Sequence, residues 1–94
     1  MDIPRAIREF FQSDDFVMAE ILTGDTDGTN LVFTSEYKFD QKAIWVYLDG
    51  QRMLPTIDYV LSESGVGYDI VTFTFAPQLG DNVMADYLKD TINN

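Results

Sequence analysis

The residues of this chain that could do chemistry are almost all carboxylates. Asp25, Asp27, Thr29 and Glu36 stand at positions 1, 3, 5 and 12 of the loop template in which spaced oxygens converge on calcium. The template breaks at its sixth position, where the sharp turn needs glycine and the chain has Asn30. Leu31–Thr34 then continues as a strand instead of a helix. An ordinary acidic turn accounts for these residues better, so no metal or cofactor is expected. The other chemistry open to carboxylates is glycoside hydrolysis, which needs a raised-pKa acid and an ionised partner across a cleft. The 12 aspartates and four glutamates guarantee pairs by chance. With no histidine and no cysteine, Ser-His-Asp and Cys-His nucleophiles, structural zinc, iron–sulfur ligation and thiol redox chemistry are excluded. The expectation is a protein that is not an enzyme.

Charge and length bound the alternatives. Six basic residues against 16 acidic ones give a net charge of −10, and a duplex binder needs the opposite, a cationic stripe on the phosphates. Nucleic acid is therefore not an expected partner. No apolar run approaches the ~20 residues that cross a bilayer, and the N-terminus has no signal pattern, so no membrane partner is expected either. With 46% hydrophobic and 14% aromatic residues in 94, the chain has the composition of one folded domain spanning 1–94. A domain of this size buries roughly 60–65% of its unfolded surface, enough for one thin core.

The elements divide where the hydrophobic period changes. Over residues 1–13, Ile3, Ile7, Phe10 and Phe11 share one helical face, with Asp2 able to cap and Pro4 in the first turn. A short amphipathic helix is predicted there. From Phe16 the period becomes two. Strands are predicted at Phe16–Leu22, Asn30–Thr34, Ala43–Leu48, Arg52–Leu54, Tyr59–Ser62, Ile70–Phe75 and Val83–Leu88. Asp49-Gly50 is a two-residue hairpin signal, Asp58 a capping carboxylate, Pro77–Asp81 a turn and Ser64–Gly67 a flexible loop tip. Ile44–Leu48 is apolar at every position, so Trp45 is assigned to the core, and the face not used by the core must meet the helix or another subunit. The predicted fold class is mainly all-β: a small antiparallel β-sandwich or partly open barrel over 16–88, preceded by one short N-terminal α-helix.

Four segments in order carry a resemblance: Gly24–Thr34 (GDTDGTNLVFT), Ile44–Arg52 (IWVYLDGQR), Asp58–Leu61 (DYVL) and Val71–Tyr87 (VTFTFAPQLGDNVMADY). The chain from Ala19 to Leu88 resembles a small β-domain recurrent in tailed-bacteriophage virion proteins, found in fibres, tail and neck appendages and capsid accessory proteins. Asp49 replaces the usual Asn before Gly50, and Ser62–Tyr68 is a longer insert. The helix lies outside the resemblance, and a start at Met1 is expected of a complete small gene product.

The resemblance implies a non-enzymatic structural component of the virion, partnered by other virion proteins and by copies of itself. The helix face Ile3, Ile7, Phe10 and Phe11 is the expected assembly contact. It also implies an alternative, a host-surface receptor or glycan-binding module of a tail fibre, using loop residues Asn30, Asp49, Gln51, Arg52 and Tyr68. Charge alone suggests a third, an acidic DNA mimic that occupies a host enzyme. The charge, however, is uneven. Asp2, Arg5, Arg8 and Glu9 leave the helical segment neutral, so the remaining chain, with 14 acids against 4 bases, holds the whole −10, and the acidic turns of the β-domain read as a solubilising outer surface.

Overall fold

The computed structural model describes residues 15–94, which form antiparallel β-sheet with no helix. The helix predicted over 1–13, with its face Ile3, Ile7, Phe10 and Phe11, lies outside the described residues. Six strands follow in order: β1 (Phe16–Ile21), β2 (Val32–Leu48), β3 (Gln51–Arg52), β4 (Tyr59–Gly65), β5 (Gly67–Phe73) and β6 (Val83–Lys89). They join in a single sheet ordered β1-β6-β2-β5-β4, with β3 paired to the end of β2.

The strand β2 determines the architecture. Two separate strands, Asn30–Thr34 and Ala43–Leu48, were predicted here; the chain instead runs through Ser35–Lys42 as one strand of 17 residues. That stretch has no glycine or proline to break it, and it buries Phe39 between polar neighbours in strand alternation. Its register slips between Thr34 and Phe39 and again between Phe39 and Ile44, which lets it bend. Ser35 is buried at the first slip, and its hydroxyl donates to the Tyr37 carbonyl at 2.6 Å. The first residues of β2 pair with β5 and the last with β6, so both halves of the sheet wrap one core. The chain after β1 returns to the start of β2, where Thr23 pairs with Thr34. Gly24 is required at that corner, since a Cβ would lie 2.5 Å from Phe33 Cδ1 and 2.8 Å from the Val32 carbonyl.

The core draws Phe33, Phe39, Ile44 and Val46 from β2, Tyr59 from β4, Val71 and Phe73 from β5, and Val83, Ala85 and Tyr87 from β6. Phe33 meets Phe73 edge-on at 5.6 Å, and Phe39 meets Tyr87 at 5.8 Å. Each such side chain contributes about 1.5–3 kcal/mol by leaving water, far more than any surface pair in the molecule. Trp45 is not among them. Period-two alternation sends Ile44 and Val46 inward and leaves Trp45 and Tyr47 half-buried on the opposite face, which corrects its assignment to the core.

The turns follow the chemistry of their residues. Asp49 and Gly50 have φ of 51° and 82° and join the paired Leu48 and Gln51, as a two-residue hairpin with positive φ requires. The Asp58 carboxylate accepts the Leu54 N–H at 2.8 Å, and that of Asp81 accepts the Gln78 N–H at 2.7 Å. The predicted loop at Ser64–Gly67 is replaced by paired strands that run to Gly65 and Gly67, leaving Val66 alone at the tip. Gly67 has φ of +92° there, and a Cβ would press on Asn93 at 2.9 Å.

Candidate functional site

The two faces of the sheet half built from β1, β6 and the end of β2 have different roles. Val83, Ala85 and Tyr87 point into the core, so Met84, Asp86 and Leu88 point away from it, alongside Trp45 and Tyr47. Register places Ile21, Met84 and Tyr47 in one row, Asp86 and Trp45 in the next, and Phe16 beside Leu88 at the end. The result is an outward apolar face with a single carboxylate near its middle. Ile21 is 60% exposed, Phe16 39%, and Trp45, Tyr47, Met84 and Leu88 are each half-buried. Contiguous exposed apolar area of this kind is uncommon on a folded monomer.

The edge beside this face is shaped against indiscriminate pairing. Strand β1 carries a bulge between Val17 and Glu20, with Ala19 at φ 54°. The Ala19 N–H donates to Asp86 Oδ1 at 2.6 Å, which secures the irregular backbone and engages the one charge on the face. The bulge also turns Glu20 toward the core, where Tyr87 donates its hydroxyl proton to Glu20 Oε1 and the Glu36 N–H donates to Oε2 at 2.8 Å. Burial, and then the adjacent Glu20 carboxylate, push the Tyr87 phenol well above its ordinary range, so it is a permanent donor and not an acid–base group.

A second polar cluster ties β2, β4 and β5. Lys38 Nζ lies 2.8 Å from Asp69 Oδ2 and 3.2 Å from the Ser64 hydroxyl, and that hydroxyl donates to the same Asp69 oxygen at 2.6 Å. Partial burial pushes the Asp69 carboxyl up, but hydrogen bonds from Lys38, the Ser64 hydroxyl and the Ser64 N–H outweigh it and hold the group below its ordinary value. Serine beside lysine can suggest a nucleophile and its base. Here both donate to one carboxylate, so the cluster fastens strands together and activates nothing.

A pocket of about 350 Å³ opens beside it, lined by Gln41, Pro55, Thr56, Tyr59, Val60, Leu61 and Tyr68. Of the five loop residues expected to meet a ligand, only Tyr68 lines this pocket. Asn30 spends its side chain on the Val32 and Asp25 carbonyls and the Val32 N–H, and Asp49 accepts the Asn82 N–H at 2.8 Å. Gln51 and Arg52 lie exposed on β3, with Arg52 close enough for its charge to act on Tyr59. Gln41 had no sequence signal as a site residue, because its place beside the pocket depends on the unforeseen continuity of β2 past Ser35.

The calcium candidates do not converge. Asp27 Oδ1 accepts the Thr29 and Asn30 N–H groups at 2.9 and 2.8 Å, and those bonds hold its carboxyl below the ordinary value. Asp25 contributes only its backbone carbonyl to the turn, while Glu36 sits on β2 with its N–H on Glu20. Among the described residues, no group of three or more His, Cys, Asp or Glu side chains is placed to hold a metal ion, and no helix is long and apolar enough to cross a membrane. Comparison with protein-family models, with curated proteins and with solved structures finds no match.

Proposed function

We propose that the chain is a non-enzymatic structural component of a tailed-phage virion: a head, neck or tail accessory, connector or decoration protein that acts by assembly with other virion proteins and with itself. The observation that supports this most is the outward apolar face of Phe16, Ile21, Trp45, Tyr47, Met84 and Leu88. The resemblance of the four ordered motifs to those of phage β-domains is what suggests the virion setting. In this reading the curled sheet is a partly open barrel, with Thr23 and Thr34 beginning its closure. The face Ile3, Ile7, Phe10 and Phe11 of the segment 1–13 is kept as the expected assembly contact, an arm that covers the sheet face of the same or a neighbouring copy. DNA mimicry fits the acidic groups least, because Asp27, Asp49, Asp58, Asp81 and Asp90 accept backbone N–H groups within turns instead of forming a phosphate-like row.

Mass spectrometry of purified particles tests the virion setting: the protein is expected at stoichiometric levels, and its absence from particles would overturn the reading. Light scattering of the full chain and of a chain lacking residues 1–13 tests the arm. A mass unchanged by the deletion would remove the arm while leaving the sheet face as the contact.

A further inference from the structure

The pocket beside β4 combines three features that assembly does not explain. The first is an unpartnered polar group in its floor. Tyr59 is 1% exposed and its ring packs on Phe73 at 6.4 Å, yet its hydroxyl makes no hydrogen bond among the described residues. That oxygen is not sealed either, since no buried side-chain polar atom among them lacks a partner. It therefore keeps a small accessible surface, and Tyr59 is one of the residues that line the pocket. A phenol buried to this degree ordinarily finds a partner.

The second feature is the neutrality of the lining. In a chain of net charge −10, none of Gln41, Thr56, Tyr59 and Tyr68 carries a charge at neutral pH, and no carboxylate or ammonium lines the pocket. A charged ligand finds no counter-charge in the lining itself, and the charges that act on Tyr59 from nearby, Arg52 and Asp58, oppose each other. The third is the split between polar and apolar walls. Pro55, Val60 and Leu61 supply an apolar wall, and Tyr68 rests on Phe39 at 6.4 Å while lining the pocket. The Gln41 side chain, like the Tyr59 hydroxyl, has no hydrogen-bond partner among the described residues.

We infer that this pocket binds a neutral pyranose ring, whose C–H face packs against Tyr68 and the Pro55–Leu61 wall while its hydroxyls meet Tyr59 and Gln41. The volume, about 350 Å³, lies at the small end of ligand sites and suits one ring. The Tyr59 phenol and the Gln41 carboxamide each donate and accept, as sugar hydroxyls require. The site is separate from the outward face of β1, β6 and β2 and does not rest on the virion reading.

The test is an NMR titration of the full chain with the methyl glycosides of glucose, galactose and mannose, with glucuronate and cyclohexanol as controls. Saturable shifts with at least one neutral glycoside are expected, confined to residues near 41, 55–61 and 68. Glucuronate is expected to bind weakly. Tyr59→Phe removes only the unpartnered hydroxyl, so it should leave the melting temperature unchanged and weaken glycoside binding about threefold to tenfold. Gln41→Ala should do the same. Absence of shifts with all three glycosides, equal shifts with cyclohexanol, or a Tyr59→Phe variant that binds like the parent would each overturn the proposal. Shifts at these residues that follow protein concentration without sugar would also overturn it, by making the pocket an interface between copies.

Discussion

The two halves of the sheet treat their outer surfaces in opposite ways. Around β4, β5 and the start of β2, the outward rows are Val32, Thr72 and Val60, then Thr34, Ile70 and Ser62, so hydroxyls interrupt the apolar groups. Polar bonds close this half upon itself. Lys38, Ser64 and Asp69 join three strands, Glu63 accepts the Gly67 N–H at 2.7 Å, and the Asn94 side chain both donates to and accepts from the Lys38 backbone at 2.7 Å. Around β1, β6 and the end of β2, the outward rows hold Trp45, Tyr47, Met84, Ile21, Phe16 and Leu88, with Asp86 alone to interrupt them. The first half ties its strands together with polar bonds; the second leaves apolar area whose burial would stabilise a contact by ~25 cal/mol per Å². One thin-cored sheet thus carries a polar-stitched side and a more apolar side, because β2 bends from one half into the other.

The contrast is meaningful only if both halves share one cooperative core, and Phe73 tests that most severely. It is 1% exposed and touches Phe33, Tyr59 and Phe75 in the polar-stitched half. Phe73→Ala should cost about 3–5 kcal/mol through lost transfer energy and the cavity left behind. The loss should appear in one transition whether unfolding is followed by the fluorescence of Trp45, in the other half, or by far-ultraviolet circular dichroism. Two separated transitions would mean that the halves fold independently.

The next effect belongs to Asp69 and carries a pH signature. Its carboxyl is held below the ordinary value in the folded chain, so its contribution is fully present above the unfolded pKa of ~4 and is lost as pH falls through the folded pKa. Asp69→Asn should lower stability by about 1.5–3 kcal/mol at neutral pH, the range for hydrogen bonds to a charged group. The gap between variant and parent should narrow as denaturant melts are repeated below pH ~4. A gap independent of pH would show that the loss is one of packing, and the polar half would then owe little to this cluster.

How much of this was legible in the sequence depended on the range over which each signal acts. Asp49-Gly50, Asp58 and Asp81 are local devices, and each does in the structure what its type and neighbours predict. The strand character after Phe16 follows from the period of two. The continuity of β2 was not legible, because Ser35–Lys42 is polar enough to read as loop and its pairing partners come from β5 and β6, far along the chain. Trp45 was misplaced for a related reason. Five consecutive apolar residues do not say which of two faces meets the core, and only the register with Val83–Tyr87 settles it. Gln41 was illegible as a lining residue, since it meets the pocket only through that same long strand.

The subtlest expected difference lies in assembly and not in folding, and it compares the two outer faces directly. Ile21 is 60% exposed on the apolar half and Val32 is 46% exposed on the polar half, so either accepts a lysine with its ammonium in water. Ile21→Lys and Val32→Lys change net charge equally, which cancels the general electrostatic effect of moving the chain away from −10. Any difference between them then reports the local surface. Ile21 shares its row with Met84 and Tyr47, so a charge there must be desolvated on contact, whereas Val32 sits beside Thr72 among groups that stay wet. Sedimentation or light scattering across a concentration series should show self-association weakened at least tenfold, ~1.4 kcal/mol, by Ile21→Lys and left unchanged by Val32→Lys. Equal weakening by both would make association a matter of overall charge. A loss confined to Val32→Lys would move the contact to the half that the polar bonds were held to close.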